Sequence, residues 1–266
     1  MGFFANLKAK QAYNLHGKGQ WTEARELYEQ AIAQGMNNPR YLLSYTILLI
    51  RLGEYQKAKD HLVKLQKHPA LTAEQKVQLF MDYAVCCYKM DDLERGVHLL
   101  ESQHKRQPTG MVFETLGYLY VEKFSPERKP VADVTIPEAQ EGEEAPAAKT
   151  QEELDAEWEA GKEAALAFLK EAVEYDEEDA VCLDNMGQFL YRVLGDKAAA
   201  KEWFDKAIAV KEGQIDTLWF LSRYDLENGD TAGAIEKLEK SLEGRFSPLN
   251  FKAKAEVEAE IQRLKK

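Results

Sequence analysis

The sequence predicts an all-α chain of the α-solenoid class, a row of helix pairs stacked edge to edge, and two observations carry that prediction. The first is a stripe. Within Gly195–Val210, Ala200 and Ala207 stand seven apart with the ring of Phe204 between them, so one helical face alternates a point of close approach with a bulky knob. The second is recurrence. The same stripe returns as Ala24, Tyr28, Ala31, as Ala58, Leu62, Leu65, as Ala165, Leu169, Ala172, and as Ala234, Leu238, Ser241. The landmarks Ala24, Ala58, Gly96, Ala165, Ala200 and Ala234 are separated by 34, 38, 69, 35 and 34 residues, and a period near 34 is the length of one helix-turn-helix unit.

Taken in order, the first unit offers Ala12, Leu15, Ala24, Tyr28 and Ala31, with Trp21 after the turn glycine Gly19. The second offers Leu42, Tyr45, Leu49, Gly53, Tyr55, Ala58, Leu62 and Leu65; the third, Phe80, Tyr83, Ala84, Cys87, Gly96, Leu100 and Pro108. Phe113, Leu116, Gly117 and Tyr120 make a first helix for a fourth unit whose second helix arrives only at Ala165. About one repeat length is inserted between them. Residues 125–150 hold Pro126, Pro130, Pro137 and Pro146 together with Glu138, Glu141, Glu143 and Glu144, a composition that cannot pack as a helix and is expected to form a long, partly disordered loop. Thr150 and Glu153 then make a capping box for a helix to about Tyr175, its extension at residues 151–164 carrying Leu154 and Trp158 and expected to protrude. The fifth unit reads Leu183, Met186, Gly187, Leu190, Ala200, Phe204 and Ala207, and the sixth Leu218, Leu221, Ser222, Gly229, Ala234 and Leu238. Residues 247–266 form a capping helix, with Ser247 and Pro248 as N-cap and first helical residue and Ala253, Val257, Ile261 and Leu264 as a narrow apolar stripe. Such a cap is needed because a helix pair cannot cover both of its own faces.

The units, large residue then Leu-Gly-like pair then aromatic in the first helix, and Ala, aromatic, Ala in the second, resemble the tetratricopeptide repeat family. The resemblance covers roughly residues 5–246. It implies a right-handed superhelix of about six units, with residues 1–246 as the solenoid. It also implies that first helices line a concave groove, whose residues come out by repeat register as Tyr13 and His16; Leu43, Ile47, Ile50 and Arg51; Met81, Val85, Tyr88 and Lys89; Tyr118, Val121 and Glu122; Asn185, Gln188, Tyr191 and Arg192; and Trp219, Phe220 and Arg223. A register shifted by one position puts the same residues in the interhelix core instead. One branch of the family clamps the C-terminal carboxylate of heat-shock chaperones with Lys, Asn and Arg. The matching positions here are Ala9, Tyr13, Ser44, Gln78 and Asp82, so that clamp is absent and a more apolar ligand is implied.

Composition narrows the remaining classes. Residues 1–124 carry 16 basic and 13 acidic side chains, residues 125–179 carry 5 and 18, and residues 180–266 carry 14 and 15. The acidity of the chain, net −11, therefore sits in one segment, and the rest offers no electrostatic footprint for nucleic acid or an anionic membrane. No apolar run reaches membrane-spanning length, and the start, Met1 to Asn6, lacks a secretory signal and fits no myristoylation motif, which reads as a cytoplasmic protein. Cys86, Cys87 and Cys182 read as reduced core filler. His16, His61, His68, His98 and His104 fall at unrelated repeat positions, and no phosphate loop or nucleophile elbow occurs. No catalytic site, cofactor or metal is indicated. The expected function is that of a non-enzymatic adaptor or scaffold holding a protein segment in its groove. The alternative is a short-peptide sensor in which the insertion, through Val131–Pro137, lies in the groove as a pseudo-ligand rather than serving as a solvated spacer.

Overall fold

The computed structural model describes residues 2–132 and 149–266, with side chains from Phe4 onward. Six helix pairs follow one another: α1 (Gly2–Gly17) with α2 (Trp21–Ala33), α3 (Pro39–Arg51) with α4 (Tyr55–Leu65), α5 (Ala73–Lys89) with α6 (Leu93–Arg106), α7 (Gly110–Lys123) with α8 (Gln151–Tyr175), α9 (Ala180–Gln188, prolonged by a π-helical turn over Phe189–Leu194) with α10 (Lys197–Val210), and α11 (Ile215–Glu227) with α12 (Thr231–Leu242). A last helix, α13, spans Lys254–Leu264. The described residues divide into two compact units, Met1–Leu119 with Arg245–Glu260, and Tyr120–Gly244 with Ile261–Lys266.

The turn inside each pair has a fixed chemistry. Gly19, Gly53, Gly195 and Gly229 adopt positive φ at 71° to 80°, and Asp91 does so at 61° in the third pair. Each stands five residues before the small landmark of its second helix. The next N–H then reaches back to close the first helix: Gln20 to the Leu15 carbonyl, Glu54 to Leu49, Asp92 to Cys87 and Asp230 to Asp225, at 2.8–3.0 Å. This is the six-to-one bond of a Schellman cap, which requires a left-handed residue. Asp91 takes that role because a short polar side chain tolerates the left-handed region better than other non-glycine residues do. In the fifth pair the bond runs from Asp196 to Leu190, one residue further back. The first helix there carries one extra residue, and the π-helical turn absorbs it.

The predicted stripes are the buried faces. Ala24, Tyr28 and Ala31 are buried on α2, Ala58, Leu62 and Leu65 on α4, Ala200, Phe204 and Ala207 on α10, and Ala234, Leu238 and Ser241 on α12. Close approach at the landmark is literal in the third pair, where a Cβ added to Gly96 would meet the Ala84 carbonyl oxygen at 2.9 Å. In the fifth pair Gly187 makes room for the Phe204 ring, which stacks on Phe220 at 5.0 Å between centroids. In unit 1 the first helices α1, α3 and α5 also touch one another, and in unit 2 α9 touches α11.

Two expectations about the chain's end need correction. Ser247 and Pro248 do not start the last helix. Pro248 instead occupies the second position of a tight turn, closed by the Asn250 N–H donating to the Ser247 carbonyl (3.1 Å) and the Ser247 N–H donating to Asn250 Oδ1 (2.7 Å). Proline's fixed φ suits that position as well as it suits a first helical turn, which is why the sequence misleads there. In addition, residues 245–260 belong to unit 1, where Leu249 packs against the main core cluster; on α13, Val257 and Ile261 are buried as expected.

The long helix begins as expected with the Thr150–Glu153 capping box. Its extension does not stand free. Trp158 meets the Phe124 ring edge-on at 5.2 Å, and a Cβ on Gly161 would collide with that ring at 2.7 Å, so the glycine is what lets the two approach. Gln151 accepts from the Ala132 N–H (2.9 Å) and donates to the Pro130 carbonyl (3.3 Å), while Lys129 pairs with Asp155 at 2.9 Å. These contacts tie together the two described ends of the acidic insertion. Residues 133–148, with Pro137, Glu138, Glu141, Glu143, Glu144, Pro146 and most of the Val131–Pro137 segment, lie outside the described residues.

Candidate functional site

Each unit presents a face made by its first helices, and the two are described separately. In unit 1, Tyr13 and His16 from α1 and Ile47 and Arg51 from α3 line one cavity of about 280 Å³, together with Trp21 and Arg245. Tyr13 is exposed, meets Tyr41 edge-on at 6.1 Å, and carries the Arg40 guanidinium over its ring at 4.9 Å. His16 Nδ1 lies 3.2 Å from Ser44 Oγ, which accepts from the buried Tyr28 hydroxyl at 2.8 Å. Burial, with Arg51 and Arg245 beside it, lowers the His16 pKa to about 4. With the ring neutral, the Ser44 hydroxyl donates to Nδ1 and the ring proton sits on Nε2. Burial also lowers the pKa of Arg51, with Arg245 adding to the effect. Further along, Tyr88 on α5 meets Tyr118 on α7 edge-on at 6.0 Å, and Lys89 lies over the Tyr88 ring at 4.6 Å. Met81 is half-buried.

In unit 2, Tyr191 packs on Phe220 (5.2 Å) and Tyr224 (5.8 Å), and Lys197 lies over its ring. Arg192 donates to Glu122 Oε1 at 2.7 Å and to Gln188 Oε1 at 3.2 Å. Arg223 stacks on Trp219 at 4.3 Å and donates to Ser222 Oγ. The polar groups expected on this face are thus already engaged within it.

Eight of the residues assigned to the groove by repeat register are interior: Leu43, Ile50, Val85, Tyr118, Val121, Asn185, Gln188 and Phe220. Neighbouring first helices touch, so a residue on the seam between them is covered from both sides. The others, Tyr13, His16, Ile47, Arg51, Met81, Tyr88, Lys89, Glu122, Tyr191, Arg192, Trp219 and Arg223, keep partial or full exposure. Of the positions matching the chaperone clamp, Ala9, Ser44 and Asp82 are buried, and Gln78 donates to Asp82 Oδ1 at 2.8 Å. The residue reasoning from the sequence missed is Arg245. It follows the last helix pair in the chain, and only its return to unit 1 brings it beside His16 and Arg51. Among the described residues no group of three or more His, Cys, Asp and Glu is placed to hold a metal ion, and no helix is long and apolar enough to cross a membrane.

Successive helix pairs, five of the six closed by a left-handed turn residue, with first helices in contact within each unit, define an α-solenoid repeat protein. Residues 15–76 match the tetratricopeptide repeat family model, and solved structures of tetratricopeptide repeat proteins share the fold over most of the chain. A thermophilic tetratricopeptide repeat protein from Thermus thermophilus superposes with a TM-score of 0.61 at 16% identity, covering 85% of this chain and 98% of its own. PilW, a type IV pilus biogenesis factor, gives 0.58 at 14% identity over 90% and 92%. The C-terminal part of a repeat protein from Cytophaga hutchinsonii gives 0.50 at 15% identity over 88% and 78%. At these identities the likeness is one of fold. Comparison with curated proteins returns no match.

Proposed function

We propose that this protein is a non-enzymatic adaptor that holds a peptide or protein segment against its first-helix faces. The observation that carries the reading is the convergence of partly exposed aromatic and aliphatic side chains from successive first helices: Tyr13 with Ile47 around one cavity, Tyr88 against Tyr118, and Tyr191 and Trp219 in unit 2. Aromatic groups with one open side bury much area at little entropic cost when a partner covers them. Interior Tyr118 backs Tyr88, and interior Phe220 backs Tyr191. Chaperone-tail capture by the family's clamp does not fit, since buried Asp82 stands where the clamp needs a cation. The test is recovery of a partner, first identified by affinity capture from cell lysate, by wild type against the Tyr88→Ala, Tyr191→Ala, Trp219→Ala variant. Recovery should fall at least tenfold with the fold intact by circular dichroism. Equal recovery removes the reading.

A further inference from the structure

The cavity of unit 1 holds two arginines that no described residue neutralises. Among the described residues neither Arg51 nor Arg245 makes a hydrogen bond or an ion pair, and no Asp or Glu lines the cavity they share. Arg51 is half-buried on α3, Arg245 reaches the same cavity from beyond α12, both act electrostatically on His16, and Arg245 acts on Arg51. Leaving two cations together at a partly desolvated site costs stability, and a protein surface offers ample room to avoid it. Several cations elsewhere are paired, Lys57 with Glu29, Lys129 with Asp155 and Lys201 with Asp205, and those left without a partner among the described residues, such as Lys10, Lys18 and Lys67, stand exposed to solvent and outside this cavity.

From this we infer that unit 1 carries a binding site for a phosphoryl group, gripped by the Arg51 and Arg245 guanidiniums with His16 as a neutral N–H donor, and presented by a phosphorylated side chain of the bound segment. The inference rests on the proposed peptide-binding face. Charge selects the ligand: two guanidiniums match the nearly two negative charges of a phosphate monoester at neutral pH, whereas a carboxylate neutralises only one of them. Guanidinium forks also suit phosphate oxygens, to which they donate in pairs. The donor on the third side is set by the relay Tyr28 to Ser44 to His16 Nδ1, which leaves the His16 ring proton on Nε2. Volume limits the rest. At about 280 Å³ the cavity takes one phosphorylated side chain, with Tyr13, Trp21 and Ile47 as walls against its stem, and not a nucleotide or a folded domain. The family's chaperone clamp is a different arrangement: of its matching positions only Tyr13 and Ser44 line this cavity, neither is a cation, and Arg51 and Arg245 are not among them.

The experiment titrates the full chain with four probes, following the His16 ring resonances by NMR and the heat by calorimetry: an acetylated, amidated Ala-phosphoserine-Ala peptide, its serine and glutamate counterparts, and inorganic phosphate. The phosphopeptide should shift His16 saturably and bind at least tenfold tighter than the other three. Arg51→Met and Arg245→Met should each weaken it at least tenfold, and Arg51→Lys should fall between. Arg245 is exposed beyond the end of α12, so Arg245→Met keeps the test alive should Arg51→Met fail to fold. No saturable shift, equal binding of the glutamate peptide or of inorganic phosphate, or unchanged affinity in Arg245→Met would overturn the assignment. Loss of the aromatic anchors with phosphopeptide binding intact removes the adaptor reading alone, and the reverse result removes this site alone.

Discussion

Asp82 is a carboxyl group that the fold keeps dry. It lies buried on α5, accepts one hydrogen bond from Gln78 at 2.8 Å, and leaves its second oxygen without a partner. Burial pushes its pKa from 3.8 up to about 7, the Gln78 bond opposing the shift only in part. Between those two values the native state holds a proton that the unfolded chain has released. The native state therefore binds more protons in that window, and stability falls as pH rises through it. At about 1.4 kcal/mol per pH unit, the two units from pH 5 to pH 7 amount to roughly 3 kcal/mol. Above pH 7 the loss is complete.

Asp82→Asn removes that titration while keeping the oxygen that accepts from Gln78. Cys86, the neighbouring titratable group on the same helix, has its pKa pushed up to about 12 and stays neutral throughout. The assay is urea unfolding of both proteins at pH 5 and pH 8, followed by far-ultraviolet circular dichroism. Taking the difference between them cancels every other titration, including that of buried Asp184. At pH 5 the variant should be less stable, since its amide hydrogens replace an unpartnered oxygen and cost about 1–3 kcal/mol. At pH 8 the balance should have moved by about 3 kcal/mol in its favour. A stability difference that is the same at both pH values refutes the reasoning.

Gly96→Ala should destabilise by up to about 2 kcal/mol, because the clash with the Ala84 carbonyl forces α5 and α6 apart; helix propensity alone gives the opposite sign by about 1 kcal/mol, so urea unfolding decides. Trp158→Ala should raise amide hydrogen exchange over residues 151–160 while leaving the Ala165, Leu169, Ala172 stripe protected, since the loss of the Phe124 contact is local. Arg51→Met should raise the melting temperature of the ligand-free protein by about 1–3 °C in a thermal scan, the sign expected when one of two uncompensated cations is removed.

The second helices were legible because their message is redundant. A small residue at the crossing and a ring or Leu four positions on recur at one spacing, and only a packed pair demands both. The first helices were harder to read. They are in contact with their own partner and with each other, so apolar positions run round more of the cylinder and periodicity no longer singles out one face. That is why register placed Leu43, Val85, Tyr118, Gln188 and Phe220 beside Tyr13 and Tyr88 although only the latter keep an open side. The π-helical turn did leave a trace. Ala12, Thr46, Ala84 and Ser222 each precede their second-helix landmark by twelve residues, whereas Gly187 precedes Ala200 by thirteen. Arg245 left none, because its neighbours in the cavity are some two hundred residues away in sequence.

The polar load of the core is distributed unevenly, and the unevenness bears on function. Of the fourteen buried polar or charged residues among those described, ten lie on first helices: Ser44, Thr46, Asp82, Thr115, Asp184, Asn185, Gln188, Asp216, Thr217 and Ser222. Contact with two neighbours explains their burial but not their polarity, since apolar residues of similar size fill such seams at no desolvation cost. The cluster on α9 and α11 makes the point testable. Thr217 donates to Asp184 Oδ1 at 2.6 Å and Gln188 to Oδ2 at 2.7 Å, and burial raises the Asp184 pKa to about 6 despite both bonds. Thr217→Val alone should cost about 1–3 kcal/mol, because it strips a donor from a buried carboxyl. Asp184→Leu, Gln188→Met and Thr217→Val together should restore wild-type stability or exceed it, as apolar replacement of a whole buried polar group commonly does. Partner recovery by that triple variant should nonetheless fall, since Arg192 loses the Gln188 contact that orients it. A triple variant less stable than Thr217→Val would mean that the polar seam is there for stability after all, and the link between buried polarity and the binding face would be lost.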